Sequence, residues 1–269
     1  MTDIALEHVS YTYPGGVQAL AEVDLQIRAG EGVALIGQNG SGKTTLVRHL
    51  NGLLRPSSGR VLLGGTDAAT LRVAQLARQV GLAFQDPDTQ IFSGTVRAEV
   101  EFGPRNLGLR GLALRDAVDA ALGAVGMADE ARTNHYDLGA SRRKLLSLAA
   151  VLAMQTPVLV LDEPTTGQDR RGVTAVRAVV AAALAAGRTV IAVSHDLRFV
   201  AETMPRVVVL RGGRVLADGS PGEVFARSRW PDLRSTGLEP PEAAVIANRL
   251  GLGGVATEAE LIGAMAART

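Results

Sequence analysis

The sequence predicts an α/β protein built around a mainly parallel sheet, with an antiparallel β unit at its start, a helical subdomain in its middle and a short helical extension at its end. Three observations carry this prediction. A short apolar run, GVALIG at 32–37, leads into a polar glycine loop and then a helix-like stretch, TTLVRHLNGLL. Two runs of buried-strand type, VLVLDE at 158–163 and TVIAVSH at 189–195, flank an Ala-rich helical stretch, which is the alternation of a parallel sheet. From Val96 to about Met154 the pattern is mostly helical, with Pro104 and several glycines breaking it into pieces.

The remaining elements follow in order. Residues 4–9 and 23–28 read as strands around the turn Pro14-Gly15-Gly16, which gives the antiparallel opening. Short strands are expected at Gly59–Leu63 and Val80–Phe84, the second followed at once by the polar loop QDPDTQ. Strand signals return between 207 and 219, and from Ser220 onward loops and short helices are punctuated by prolines 221, 231, 240 and 241. The expected division is a domain over 1–220, with its helical subdomain at about 96–156, and a C-terminal extension over 221–269. No internal repeat or low-complexity tract is seen.

The composition narrows the function. With 269 residues, 46% of them hydrophobic, the chain can bury a sizeable core. A formal charge of +1 argues against nucleic acid as a partner, so any phosphate chemistry must be local. The absence of cysteine excludes disulfides, thiolate metal sites and thiol nucleophiles, and suits a reducing cytoplasm. The start, MTDIALEHVS, does not read as a signal peptide. The apolar stretch Val173–Ala186 is short and broken by Arg177, whereas a membrane span needs about 20 apolar residues. A membrane role is therefore expected through a partner.

All but two of the 28 Lys and Arg residues are Arg, and the two lysines are Lys43 and Lys144. An ammonium is a compact point charge that fits a tight backbone loop better than an Arg fork does. Lys43 stands in GQNGSGKTT, 37–45, which fits G-x-x-x-x-G-K-[ST] between a strand and a helix. Gly37, Gln38, Asn39, Gly40, Ser41, Gly42 and Thr45 are expected to curl backbone N–H groups around a nucleotide's phosphates. Lys43 would bind the β- and γ-phosphates and Thr44 would coordinate Mg²⁺. LVLDEP, 159–164, puts Asp162 and Glu163 at the end of a buried strand, where Asp162 can hold Mg²⁺ and Glu163 can polarise an attacking water.

The phosphate loop, LVLDEP and SHD at 194–196, in this order, resemble the ATP-binding cassette (ABC) ATPases over residues 1 to about 220. The resemblance implies ATP and Mg²⁺ as cofactors and a phosphate-loop fold with an antiparallel β subdomain. It implies His195 as a switch histidine at the γ-phosphate and Gln85 as a loop glutamine touching Mg²⁺ and the water. It makes Asp169, in TTGQD, a loop residue that crosses a dimer interface. An aromatic before the first glycine turn would stack on the base, and Tyr13 is preferred over Tyr11 because it adjoins Pro14.

A narrower resemblance covers GLAFQDPDTQIFSGTVRAEVEFGPRNLGL, 81–109, and GLEPPEAAVIANRLGL, 237–252, which are similar to the ATPases of energy-coupling factor (ECF) importers. It implies ATP hydrolysis that drives uptake of a vitamin or transition-metal ion. The implied partners are an integral membrane coupling subunit, a substrate-binding membrane subunit and a second ATPase subunit, at the cytoplasmic face of the membrane. Phe92, Val96 and Val100 would either line the groove that docks the membrane partner or belong to the helical core. Another ABC transporter is the alternative; a soluble non-transport ABC ATPase or a nucleotide-binding scaffold fits less well.

One element departs from the family pattern. Its L-S-G-G-Q signature, which contacts the ATP held by the other subunit, usually begins about 24 residues before the strand-end Asp. Leu138 stands at that distance from Asp162, so Leu138, Gly139, Ala140, Ser141 and Arg142 occupy the five places and only Leu is retained. Ser141 would restore the lost hydroxyl or cap the following helix, and Arg142 would approach the phosphate or remain apart from it. Arg143 and Lys144 are expected to be solvated or to pair with the membrane partner. This alteration favours a heterodimer with one strong and one weak site, a homodimer being the alternative.

Overall fold

The computed structural model of the chain describes residues 2–267. Along it stand β1 (Ile4–Thr12), β2 (Gln18–Ile27), β3 (Gly32–Ile36), α1 (Lys43–Leu50), β4 (Ser58–Leu63), β5 (Thr66–Asp67), the single turn α2 (Val73–Leu76) and β6 (Val80–Ala83). Next come α3 (Val96–Asn106), α4 (Gly111–Ala124), α5 (Ala140–Ala153), β7 (Val158–Asp162), α6 (Arg170–Ala185), β8 (Thr189–Val193), α7 (Leu197–Thr203), β9 (Arg206–Arg211) and β10 (Arg214–Gly219). Four short helices close the chain: α8 (Pro221–Val224), α9 (Trp230–Arg234), α10 (Glu242–Arg249) and α11 (Glu258–Ala266).

These strands form two sheets. The first is antiparallel in the order β2-β1-β4-β5, and the second runs β10-β9-β3-β8-β7-β6, parallel except for the antiparallel edge strand β10. β1 and β2 are longer than their apolar patterns suggest. Positive φ at His8 and Glu22 and breaks in the β1–β2 register interrupt the period of two, so the strands continue past polar residues that hide the alternation. β4 and β6, read alike from sequence, belong to different sheets.

The larger sheet is buried on both faces, which is why its strands read as continuous apolar runs. In β3, Val33 and Leu35 join one core with β1, β2 and α1, while Ala34 and Ile36 join the other with the helices. β7 repeats this, with Val158 and Val160 on the first side and Leu159 and Leu161 on the second. α3, α4 and α5 pack against the second core through Val96, Val100, Val118, Leu145 and Leu146. Pro104 does not break the helical region as expected, because it lies inside α3, whose last turn is closed by Leu107 N–H donating to Gly103 O at 3.1 Å. α1 is shorter than TTLVRHLNGLL, since Asn51 leaves helical geometry and Gly52 takes φ +75°.

This topology gathers the chemistry. β3 ends at the glycine loop, β7 at Asp162, β8 just before Ser194 and His195, and β6 just before Phe84 and Gln85. Parallel neighbours end at one edge, so four segments far apart in sequence open onto a common crevice.

Candidate functional site

The phosphate loop is shaped by close backbone approaches. Gly37 has φ +146°, and a Cβ there would lie 2.2 Å from Leu210 O; Gly42 has φ +102°, and a Cβ would lie 2.5 Å from Ala19 O. No other residue fits these positions without displacing a strand. Gly42 also caps α1 without a side-chain hydrogen bond, which leaves the first helical N–H groups for an anion. Lys43 Nζ donates to Gly37 O at 2.8 Å, Gln38 O at 2.9 Å and Ser41 Oγ at 3.4 Å. Burial pushes the Lys43 pKa down, and the charges of Glu163 and Asp162 oppose that shift.

Around the loop lies an open cleft of ≈ 940 Å³. Gln38, Asn39, Gly40, Thr44 and Thr45 line it from the loop side, and Gln85, Glu163 and His195 from the sheet edge. Ser41 is buried beneath the loop. Thr44 Oγ1 donates to Asp162 Oδ1 at 3.3 Å. Burial raises the Asp162 pKa, with the Thr44 hydrogen bond acting in the opposite sense. Among the described residues no group of three or more His, Cys, Asp or Glu is placed to hold a metal. A hydroxyl next to one buried carboxylate suits Mg²⁺, which keeps waters and substrate phosphates in its shell and uses few protein ligands.

Glu163 leaves β7 with φ +53°, a left-handed conformation uncommon for a side-chain-bearing residue, and its N–H donates to Val193 O at 2.9 Å. Its Oε2 accepts a hydrogen bond from Thr166 Oγ1 at 3.1 Å and lies 2.8 Å from His195 Nδ1. Among the described residues no hydrogen bond falls on Oε1. His195 therefore meets the neighbouring carboxylate, a contact that the sequence did not indicate.

At the other end, Tyr13 and the exposed Val17 line the cleft. The Tyr13 hydroxyl shares a hydrogen bond with Thr45 Oγ1 at 3.0 Å, and its ring meets Tyr11 edge-on at 4.9 Å. Tyr11 meets buried His49 in the same way at 5.0 Å, and His49 Nδ1 lies 2.7 Å from Thr45 O. Because a carbonyl only accepts, Nδ1 carries the proton. Tyr11 is packed on the first core beside Tyr13.

Residues that sequence reasoning did not single out also line the cleft: Gly237, Leu238 and Glu239, from the C-terminal extension. Leu238 is part of the main core, and Glu239 pairs with Arg234 at 3.0 Å, whose guanidinium lies over the Trp230 ring. Gly237, Leu238 and Glu239 open the stretch GLEPPEAAVIANRLGL, which the resemblance covers without placing it at the cleft.

The altered signature stretch lies apart from this cleft in the same chain. Leu138 is buried, Gly139 caps α5 in extended geometry with no side-chain bond, and Ala140 begins the helix. Ser141 is not the cap, because its hydroxyl donates to Gln168 Oε1 at 2.5 Å. Arg142 is committed elsewhere, with its Nε and Nη2 forking onto the Glu130 carboxylate and Nη2 also reaching Gly126 O. That bidentate pair engages the guanidinium within its own chain. Arg143 and Lys144 are not merely solvated: Arg143 pairs with Asp88 and Leu138 O, and Lys144 donates to Thr166 O. Asp169 caps α6 by accepting from Gly172 N–H at 2.7 Å.

The three residues considered for docking differ in burial. Val96 and Val100 are fully buried core, whereas Phe92 is 61% exposed. Its ring meets that of Phe102, 48% exposed, edge-on at 4.6 Å. The loop under Phe92 is fixed by buried Glu99, whose Oε2 receives the N–H groups of Phe92 and Ser93.

A parallel sheet whose carboxyl edge brings a phosphate loop against an Asp-Glu strand end defines a phosphate-loop nucleotide hydrolase. Comparison with known proteins places it further. The family described as ABC transporter matches residues 20–166. The energy-coupling factor transporter ATP-binding protein EcfA of Methanothermobacter thermautotrophicus is 37% identical over 260 residues, covering 96% of this chain and 83% of that protein. The cobalt import ATP-binding protein CbiO of Rhodobacter capsulatus is 41% identical over 240 residues, covering 88% and 85%. The structure of cbiO1 from Clostridium perfringens, described as part of the ABC transporter complex cbiONQ, superposes with a TM-score of 0.76 at 35% identity, covering 91% of this chain and 98% of that one. Some other relatives are longer, and the chain spans 39% to 43% of their length. The chain belongs to the ABC transporter ATPases, of the energy-coupling factor importer type, a family of ATP-hydrolysing enzymes. Among the described residues no helix is long and apolar enough to cross a membrane.

Proposed function

We propose that this chain is the ATP-hydrolysing subunit of an energy-coupling factor importer that takes up a transition-metal ion or a vitamin, working at the cytoplasmic face of the membrane. The observation that carries this reading is the convergence of Lys43, Thr44, Gln85, Glu163 and His195 on the cleft that Tyr13 closes at its far end. The names of its relatives, an energy-coupling factor ATPase and a cobalt import ATPase, support the transport class. Residues 1–220 form the ATPase unit in this reading and 221–269 its extension.

ATP lies with its base on Tyr13 and its β- and γ-phosphates in the N–H cradle of Gly37–Thr45, where Lys43 exchanges loop carbonyls for phosphate oxygens. Thr44 and Asp162, with Gln85 across the cleft, would hold Mg²⁺, which would supply charge neutralisation on the phosphates. Glu163, its Oε2 occupied by Thr166 and His195, turns Oε1 toward the attacking water. His195 stands at the γ-phosphate end beside it. Asp169 and the Leu138–Ser141 helix start face a second ATPase subunit and its nucleotide, where α5 offers N–H groups even without the usual signature side chains.

The altered signature favours a heterodimer in which this chain's own motifs are completed by a partner's intact signature. Phe92 and Phe102 present the aromatic surface for the integral membrane coupling subunit, which in turn carries a substrate-binding subunit. The chain is to be co-purified with its neighbouring ATPase and hydrolysis measured with Glu163→Gln in one subunit, then with the matching change in the other. Unequal losses support the asymmetric pair, and equal losses rule it out in favour of two equivalent sites.

A further inference from the structure

Both lysines of this Arg-rich chain lie in the field of the same two carboxylates, Asp162 and Glu163. Lys43 belongs to the phosphate cradle. Lys144 stands in the second turn of α5, where Asp86 adds a further negative charge and burial opposes its own. Its Nζ donates to Thr166 O at 2.9 Å. Thr166 in turn donates from Oγ1 to Glu163 Oε2 at 3.1 Å, and its N–H donates to Glu163 O at 3.3 Å. The turn 163–166 is thus closed on itself by backbone and side chain, and Lys144 fastens its far end to α5. A second fastening, Ser141 Oγ to Gln168 Oε1, lies one helical turn away. Glu163 holds φ +53°, a conformation that a side-chain-bearing residue keeps only where its surroundings impose it.

We propose that Lys144 is a positioning residue for ATP hydrolysis: by holding the Thr166 carbonyl it fixes the turn whose Thr166 hydroxyl aims the Glu163 carboxylate. This rests on Glu163 being the water-activating group. A single carbonyl in a half-buried site calls for a point-charge donor on a flexible stem, which explains a Lys here in a chain that otherwise uses Arg. The consequence is a link within one chain. The helix start assigned to the partner's nucleotide is tied through Lys144 and Thr166 to this chain's own hydrolytic carboxylate, so movement of α5 on pairing changes the aim of Glu163.

The test uses the full chain assembled with its ATPase partner and compares Lys144→Met, Thr166→Val, Thr166→Ser and the double Lys144→Met/Thr166→Val. Lys144→Met and Thr166→Val are each expected to lower kcat on the order of tenfold with KM for ATP unchanged and the chain still folded at the assay temperature. Thr166→Ser should retain the wild-type rate, and the double variant should be no slower than the slower single one. A raised KM with unchanged kcat would instead mark Lys144 as a nucleotide contact and overturn the proposal, as would additive losses in the double variant. In a Glu163→Gln background Lys144→Met should cost nothing more. If Glu163→Gln alone retains full hydrolysis, the reading of Glu163 has failed and the proposal with it.

Discussion

His195 Nδ1 lies 2.8 Å from Glu163 Oε2, joining the ends of two adjacent parallel strands, β7 and β8, across the floor of the nucleotide cleft. Glu163 is nearly buried while His195 is largely exposed, so the histidine is the movable member of the pair. Replacing Glu163 by Gln keeps the shape and the acceptor for Thr166 and His195 but removes the base. Hydrolysis should fall about 10²- to 10⁴-fold, with ATP affinity retained. Phosphate release and equilibrium binding of a fluorescent ATP analogue check both halves; a variant that binds ATP and still hydrolyses it at the wild-type rate contradicts the assignment.

The Ser141 and Gln168 side chains predict a stability effect that separates pairing from nucleotide chemistry. Ser141→Ala strips Gln168 Oε1 of its partner, and Gln168 Nε2 is already buried without one. The loss should be about 1–3 kcal/mol. Ser141→Ala/Gln168→Leu removes both polar groups together and should recover most of it, since a matched apolar pair leaves nothing unsatisfied. Denaturant unfolding of the single and double variants decides; a double variant as unstable as Ser141→Ala would mean that Gln168 has another partner.

Much of this site was legible in the sequence because its residues are adjacent in short motifs. The glycine loop, the Asp162-Glu163 strand end and the SHD segment each announce themselves by spacing, and the parallel sheet does the rest by ending its strands together. What stayed hidden depends on side chains meeting across long separations. The pairing of Arg142 with Glu130 was not legible because Glu130, twelve residues earlier, carries no motif. Whether Val96 and Val100 belong to the core stayed open because their helical spacing is the same whether they face a partner or the core, and only the packed helices bury them. Gly237–Glu239 reach the cleft only because Leu238 is packed into the main core, which no local pattern reveals.

Phe92 and Phe102 yield a prediction about assembly. In a chain with five Phe, two stand exposed and edge-on to each other, Phe92 on a loop braced by the buried Glu99 carboxylate and Phe102 on α3. Phe92→Ala should weaken capture of the membrane coupling subunit roughly tenfold or more, the loss typical of a buried aromatic anchor, and leave the ATP affinity of the isolated chain unchanged. Co-purification from detergent extract, with nucleotide binding measured in parallel, tests this; undiminished capture by a Phe92→Ala/Phe102→Ala double variant would place the docking surface elsewhere.

Beneath the base-binding end, His49 makes stability depend on pH. It is buried on α1, its Nδ1–H is used by Thr45 O, and Nε2 is buried with no partner. Burial pushes its pKa below the ordinary 6.5, against smaller upward contributions from the nearby backbone of Thr45 and Arg55. The folded state therefore favours neutral His49, and the unfolded chain takes up a proton first as pH falls. Its contribution to stability is present above about pH 6.5 and is lost as pH drops from there through the folded-state pKa, with a slope of at most about 1.4 kcal/mol per pH unit. His49→Gln keeps a donor for Thr45 O and cannot be protonated in this range, so its thermal midpoint should fall less than the wild type's between pH 7.5 and 5.5. Parallel pH dependence in the two proteins would assign the acid sensitivity to other groups and leave His49 a packing residue under Tyr11.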